Sequence, residues 1–285
     1  WYRPHLTILT GVAWDHINVF PDPENYRSQF VTYLLRMEQG GSVVWFEGDP
    51  ELNKVMNEVL PQRPDLISVP YNAPNHSVVD GNLTLHLDSG SHPLGTIGAH
   101  NALNTIGAMA LCAQWGIANA DFLEAVQGFT GAAGRLERKL DVTLPNGQCT
   151  VFRDFAHAPS KVKATTDSIK GQFPERKLVA VLELHTFSSL NPDFLPTYKG
   201  ALDAADEAWV CWSPDVLQHK KLAPLSETDV HAAFGRKDLG TCNSVSEVTS
   251  AAQNAAGPNT VVLLMSSGRF EGADLLGAIQ KTLNR

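Results

Sequence analysis

The chain has no Gly-x-x-x-x-Gly-Lys-[Ser/Thr] phosphate loop, and the dipeptide Gly-Lys occurs nowhere in its 285 residues. A phosphate cradle of that kind is therefore absent from this sequence. Cysteine is scarce as well. Cys112, Cys149, Cys211 and Cys242 are widely spaced with no Cys-x-x-Cys pair, and three of them sit in apolar surroundings. They read as buried thiols in a reducing compartment, the cytoplasm. No apolar run approaches the ~20 residues of a membrane span, and there is no secretory signal pattern, internal repeat or low-complexity tract. Basic charge is in deficit, with 22 Lys and Arg against 30 Asp and Glu for a net charge of −8. Lys161 with Lys163, and Lys220 with Lys221, are isolated pairs rather than a stripe. A nucleic-acid or anionic-membrane partner is therefore not expected.

What remains is the composition of an ordinary soluble protein, 43% hydrophobic and 18% charged. The length suggests two domains. The chain opens on Trp1 rather than Met and runs almost at once into a strand, so it reads as a fragment that lacks its N-terminal portion.

Leu6–Val12 is a nearly continuous apolar run, typical of a strand buried on both faces. Pro23 starts a helix to about Glu38, Gly40-Gly41 closes it, and Ser42–Phe46 is the next strand. A helix near Glu51–Leu60 leads into a Pro- and Asn-rich passage with short β segments to about Leu94. Gly98 opens an alanine-rich helix to Trp115, and a second helix covers Asp121–Gln127. The small residues of Gly131-Ala-Ala-Gly134 mark a hinge or domain boundary near Gly134. Beyond it, strands at Cys149–Phe152, Leu178–Leu184, Ala208–Trp212, Gly240–Asn243 and Thr260–Met265 alternate with helices, and a last helix covers Phe270–Leu283. This alternation predicts a parallel, doubly wound sheet.

Four places carry candidate chemistry. Arg153-Asp-Phe-Ala-His-Ala-Pro-Ser-Lys161 lies where a strand hands over to a helix N-terminus, the place at which α/β sheets collect anionic ligands. Asp15-His16 follows the first strand. His16 there can bind a divalent metal, or it can be a satisfied, half-buried histidine with Asp15 as a turn cap. His100, Asn101 and Asn104 open a helix, and the two amides share a face three residues apart. They suit a nucleotide base or phosphate oxygens, or alternatively Asn101 is an N-cap and Asn104 polar filling. Arg135, Glu137 and Arg138 follow the hinge. Arg135 can offer a phosphate a planar bidentate donor, or belong to a surface charge cluster.

In order and together, Thr10-Gly-Val-Ala-Trp-Asp-His16, Gly98-Ala-His-Asn-Ala-Leu-Asn104, Phe129-Thr-Gly-Ala-Ala-Gly-Arg-Leu-Glu137 and Asp154-Phe-Ala-His-Ala-Pro-Ser160 resemble the Mur ligases, ATP-dependent amide-forming enzymes of peptidoglycan synthesis. Within that family they look like the muramate–alanine ligase and murein peptide ligase branch, whose motif reads Asp-Tyr/Phe-Ala/Gly-His-His-Pro. Here Ala158 replaces the second histidine. The 23–38 helix has no lysine, which fits this branch. Leu184–Ser189 resembles a strand end that carries two arginines in the alanine ligase, replaced here by Thr186 and Ser189. That departure favours a peptide ligase or a divergent relative.

The resemblance implies an α/β fold: part of a central ATPase-type domain with a mixed sheet over residues 1–133, then a Rossmann-like, doubly wound C-terminal domain over 134–285. It implies ATP and Mg2+, with His16 on the metal, His100, Asn101, Asn104, Arg135 and Asp154 toward the nucleotide, and His157 near the amine with Arg135 as its catalytic companion. The implied partners are UDP-N-acetylmuramate and an amino acid or peptide, such as L-Ala-γ-D-Glu-meso-diaminopimelate. A catalytically inactive nucleotide- or precursor-binding relative is the alternative. The family's phosphate loop and metal-ligating glutamate are expected upstream of Trp1, so the fragment alone is expected to be inactive. Gly11 stands where relatives often carry asparagine.

Overall fold

A computed structural model describes residues 2–79 and 82–284. Trp1, on which the fragment expectation rests, lies outside them. The chain forms two compact units, Trp1–Thr130 and Gly131–Arg285.

In the first unit β1 (Leu6–Leu9) leads to α1 (Pro23–Leu35), β2 (Ser42–Phe46), α2 (Pro50–Val59) and β3 (Ile67–Tyr71). Both helices start on an Asp-Pro pair. Asp22 accepts the Asn25 N–H at 2.7 Å, and Asp49 accepts those of Glu51 and Leu52 at 2.8 and 3.0 Å. Proline occupies the first helical position, where no donor is needed. The strands form a parallel sheet in the order β1-β2-β3. On one face Leu9, Val43 and Trp45 pack with Val31 and Leu34 of α1 and Leu52, Val55 and Met56 of α2.

The Asn-rich passage is an antiparallel meander of β4 (Asn75–Val79), β5 (Asn82–Leu87) and β6 (Gly90–Leu94), forming its own sheet. Then come α3 (Ala99–Gln114) and α4 (Asn119–Val126). Helix α3 packs against β1, β2 and β3, and its Ala102 closes on Leu83, Leu85 and Leu94 of the meander. The strand expected over Leu6–Val12 ends at Leu9, because beyond Thr10 the chain leaves the sheet and Val12 donates its N–H to the Asp49 carboxylate at 2.9 Å.

The second unit runs β7 (Glu137–Leu144), β8 (Gly147–Asp154), α5 (Pro159–Gln172), β9 (Lys177–Leu184), β10 (Glu207–Trp212), α6 (Pro214–His219), α7 (Glu227–Phe234), β11 (Gly240–Cys242), α8 (Val245–Ala255), β12 (Thr260–Met265) and α9 (Leu275–Leu283). Its six-stranded sheet has the order β11-β10-β9-β12-β8-β7. Five strands are parallel, and every residue of β12, inserted between β9 and β8, is buried. Helices α8 and α9 cover one face through Val248, Ala252, Leu275 and Ile279, against Val151, Val181, Val262 and Leu264. Helix α5 packs against β9 and β12, and Phe173 just past its end meets Phe152 of β8. Burial on both faces explains the unbroken apolar runs of β9 and β12.

Two expectations need correction. The sheet is not wholly parallel, since β7 pairs antiparallel with β8 through a tight turn at 145–146. Its alternating charges read as a surface cluster but belong to an edge strand with an irregular register between Arg138 and Leu140. The last helix does not run from Phe270. Phe270, Glu271 and Gly272 have φ of 49°, 53° and 83°, giving a single 3-10 turn, and α9 starts at Leu275. Asp274 caps α9 by accepting the Gly277 N–H at 2.9 Å. As expected, Cys149, Cys211 and Cys242 are buried thiols, and Cys112 is half-buried.

Candidate active site

In the second unit, the residues singled out by sequence gather at the carboxyl ends of β8, β9 and β12. Asp154 ends β8 and is buried, with its carboxylate turned onto the backbone. One oxygen accepts the Leu136 N–H and the other the Ala156 N–H, both at 2.5 Å. The same acid therefore ties the segment entering β7 to the turn leaving β8. Leu136 has φ 46°, and the neighbouring Gly131 and Gly134 have φ 103° and 69°. Three left-handed residues in a span of six give this segment its sharp path, and glycine takes two of them at no steric cost. The Gly134 carbonyl accepts the Phe155 N–H at 3.0 Å.

Phe155 brings together two candidates from different segments. The Arg135 guanidinium lies over its ring at 4.9 Å, and the His157 ring meets its edge at 5.2 Å and 87°. His157 is buried. Its Nδ1 lies 2.9 Å from the Phe155 carbonyl, and since a carbonyl only accepts, Nδ1 carries the proton and Nε2 is the basic nitrogen of the neutral ring. The fully buried Tyr198 donates its hydroxyl to the His157 carbonyl. Pro159 then opens α5. Glu137 accepts from Lys139 at 2.5 Å and from the Gly134 N–H at 3.0 Å. Those bonds, Lys139 first, hold its carboxyl below the usual range.

Sequence reasoning missed Glu183, a buried acid inside the apolar run of β9. It accepts from the Ser266 hydroxyl and, at 2.9 Å, from the Phe270 N–H, clamping the loop after β12 across the sheet edge. A Cβ on Gly268 would lie 2.9 Å from Glu183 Oε2 and from the His185 ring, so this loop approaches β9 closely. A lone Glu in a Val/Leu strand was the available signal. At the β9 end Thr186 and Ser189 bond each other, with Oγ1 to Oγ at 3.0 Å and the Ser189 N–H to Thr186 Oγ1 also at 3.0 Å. They form a closed turn and present no cation.

In the first unit His16 has φ 58° and an exposed side chain, and its carbonyl accepts the N–H groups of Val19 and Phe20. Buried Asp15 accepts the His16 N–H at 2.7 Å, and its second oxygen lies 3.9 Å from His16 Nε2. Histidine is among the non-glycine residues that tolerate this left-handed geometry. Gly11 gives room to Asp49, since a Cβ there would lie 2.9 Å from Asp49 Oδ2. Burial, then the nearby Asp15 charge, raises the Tyr26 phenol.

Helix α3 begins at Gly98 (φ 92°) with neither a side-chain cap nor an acid in its first turn. Asn101 is therefore not the N-cap. Its amide donates to the Ile97 carbonyl at 2.8 Å, which fixes the loop before the helix. His100 is half-buried and Asn104 exposed on the same opening turns. The structure thus gathers Arg135, Asp154 and His157 in one unit, and His100, Asn101 and Asn104 on one helix start in the other, with His16 on the loop after β1. Among the described residues no three His, Cys, Asp or Glu side chains cluster as a metal cage, and no helix is long and apolar enough to cross a membrane.

Residues 134–268 match the family model for the Mur ligase, glutamate ligase domain. The chain is 26% identical over 294 residues to the UDP-N-acetylmuramate–L-alanine ligase of Roseiflexus sp. (strain RS-1), covering 93% of this chain and 60% of that protein. It is 26% identical over 314 residues to the enzyme of the same name from Mycobacterium ulcerans (strain Agy99), covering 100% and 61%. The chain therefore spans about 60% of the length of these relatives. Among solved structures, the UDP-N-acetylmuramate–alanine ligase of Thermotoga maritima superposes with a TM-score of 0.63 at 20% identity, over 98% of this chain and 58% of that one. A murein peptide ligase from Psychrobacter arcticus gives 0.60 at 19% over the same shares. These two likenesses establish the fold, with its Rossmann-like second unit. Residues 134–268 thus resemble a Mur ligase C-terminal domain, in a chain similar to the UDP-N-acetylmuramate–L-alanine ligases over nearly its whole length.

Proposed function

We propose that this chain serves in an ATP-dependent ligase that joins the carboxylate of a UDP-N-acetylmuramate precursor to an amine, in the cytoplasm, during peptidoglycan synthesis or recycling. The observation that carries this reading is the turn after β8, inside the matched domain, where Asp154 fixes the backbone on which Arg135 and His157 converge at Phe155.

In the reaction a carboxylate oxygen attacks the γ-phosphorus of ATP and ADP leaves. The amine nitrogen then attacks the acyl carbon of the acyl phosphate, phosphate leaves, and the nitrogen gives up a proton. Arg135 suits the phosphoryl oxygens because its planar guanidinium is aligned by stacking and always charged. His157, with Nδ1 protonated, offers Nε2 as acceptor for the proton of the amine, or orients that amine. The Gly98 end of α3 offers the nucleotide its uncapped first turn, with His100, the Asn101 side-chain carbonyl oxygen and the Asn104 amide beside it. His16 and Asp15 fit a Mg2+ site only in part. They supply at most two ligands, in keeping with an ion that keeps its waters and takes substrate phosphates for the rest. When bound, the ion offsets charge on the transferred phosphoryl group.

Two amines are in contention. The names of the relatives favour L-alanine, and the closed, uncharged Thr186–Ser189 turn favours a peptide amine.

The test is ligation by a protein in which this chain stands with a phosphate-loop segment, offered L-alanine and L-Ala-γ-D-Glu-meso-diaminopimelate in parallel. His157→Gln should reduce kcat by about 10²-fold or more, the scale of a positioned acid–base group, with an unchanged melting temperature. Asp154→Asn should keep part of the activity that Asp154→Ala loses. The alanine variant orphans two buried N–H groups and should cost about 1–3 kcal/mol for each, read by urea unfolding. Full activity in both His157→Gln and Asp154→Ala would remove this turn from the reaction.

A further inference from the structure

A cavity of about 310 Å³ opens at the carboxyl ends of β8 and β12, beside the start of α9. Its walls are Leu264, Phe270, Leu275 and Leu276, and two arginines line it, Arg153 and Arg269. Neither guanidinium forms an ion pair or donates a hydrogen bond among the described residues, although the Arg153 charge reaches Glu137 across the strand pair. An acid beside each is already engaged elsewhere. Glu137, the register partner of Arg153 on β7, is held by Lys139 and the Gly134 N–H. Asp274, in the cavity wall, caps α9 through the Gly277 N–H. Two arginines thus line one hollow with apolar walls, neither of them in an ion pair, at the small end of ligand-pocket volumes.

The site is also held in place. Arg153 is fixed by the sheet one residue before Asp154. Arg269 rides on the loop that Glu183 clamps through Ser266 and the Phe270 N–H, and close approach of Gly268 to Glu183 and His185 leaves that loop little freedom. The left-handed Phe270 and Glu271 give the loop its path, and Glu271 is tied to Ser213 by a hydrogen bond. The first turn of α9 adds a favourable dipole. A half-buried arginine on a strand and an exposed one on a restrained loop, beside apolar walls, suit carboxylates on a ligand with an aliphatic body.

We propose that the Arg153–Arg269 cavity is a carboxylate subsite for the far end of an amine substrate that is itself an acidic peptide. The proposal rests on the amide-ligase reading and deepens it. It assigns the cations for the peptide to β8 and the β12 loop, where the β9 end offers only Thr186 and Ser189. A single amino acid has one carboxylate next to its reacting amine. A peptide with carboxylates several bonds away from that amine can reach a separate pair of arginines.

The experiment is isothermal titration of the 285-residue chain with L-Ala-γ-D-Glu-meso-diaminopimelate, L-alanine and inorganic phosphate, for the wild type and for Arg153→Gln, Arg269→Gln and Arg269→Lys. Circular dichroism and melting curves on each variant establish that it is folded. The expected result is saturable tripeptide binding that weakens as salt rises and falls about tenfold or more in each glutamine variant. Arg269→Lys should recover part of the loss, and L-alanine should bind detectably worse than the tripeptide in the wild type. Equal tripeptide affinity in wild type and glutamine variants overturns the subsite and leaves the ligase reading intact. No tripeptide binding by the folded wild type, or phosphate competing as well as the peptide, also overturns it. Arginine-dependent tripeptide binding in a protein that fails the ligation test keeps the subsite and rejects the ligase reading.

Discussion

At the scale of single residues, Arg63 and Asp65 show how one ion pair stabilises the end of a helix. Helix α1 has no basic residue in its last turn. Arg63 supplies that charge from a distance, donating to the carbonyls of Leu35 at 2.9 Å and Met37 at 3.0 Å. Asp65 grips the same guanidinium with two bonds of 2.8 and 2.7 Å and accepts the Gly40 N–H at 3.1 Å. The Arg63 bonds, then the Gly40 bond, push the Asp65 carboxyl far below the usual carboxylate range. A lowered folded-state pKa gives stability that is fully present above the unfolded value, near 3.9, and is lost as pH falls through the folded value. The melting-temperature gap between wild type and Asp65→Asn should therefore be constant from about pH 8 to 5 and shrink below about pH 4. A gap that holds unchanged down to pH 2 would contradict the linkage. Such pairs are hard to see in a sequence, because Arg63 and Asp65 look like ordinary surface charges until α1 ends above them. The candidate site was legible for the opposite reason. Asp154, His157 and Arg135 lie in short motifs with unusual residue types, whereas Glu183 works through hydrogen bonds to the loop after β12, which spacing does not record.

At the scale of elements, the parallel strands were readable because burial on both faces leaves unbroken apolar runs, as in β9 and β12. Strand β7 was not, since one of its faces is solvated and its charges imitate a linker. The left-handed turn at 270–272 was hidden as well, because its Phe270 N–H donates to Glu183 of β9 and its Glu271 accepts from Ser213, both far away in sequence. Helix α3 meets the first sheet at Gly107, where a Cβ would lie 2.7 Å from the Tyr71 ring and 2.8 Å from Ile8. Alanine in a helix interior gains about 1 kcal/mol over glycine, but overpacking costs about 1–3 kcal/mol. Ile8 can yield, whereas the Tyr71 ring is backed by Phe46 at 5.8 Å, so overpacking should win and Gly107→Ala should lower the urea midpoint. The Tyr71 hydroxyl is buried with no hydrogen-bond partner among the described residues, and burial pushes its pKa up to about 12. Tyr71→Phe should therefore be neutral or stabilising by up to about 1 kcal/mol. Combined with Gly107→Ala it should recover part of the loss, a non-additivity expected of touching residues. Strict additivity in the double variant would show that the two groups do not collide.

At the scale of the whole molecule, the proposed ligase reading divides its residues between the two units, and the sequence holds no phosphate-loop motif. Phosphoryl transfer depends on positioning and on charge offset around the transferred group. The proposal gives Arg135 that task, and His16 with Asp15 the ion, but no Gly-Lys-[Ser/Thr] loop exists in the sequence. The purified 285-residue chain, given MgATP, UDP-N-acetylmuramate and either amine, should therefore release phosphate at the rate of a protein-free blank. The same chain joined to a segment bearing a phosphate loop should release phosphate only when both the muramate and an amine are present, and His16→Ala should lower that rate without changing the melting temperature. Substrate-dependent phosphate release by the isolated chain, abolished by Arg135→Gln, would show that its own residues cradle the phosphates and that the missing loop is dispensable.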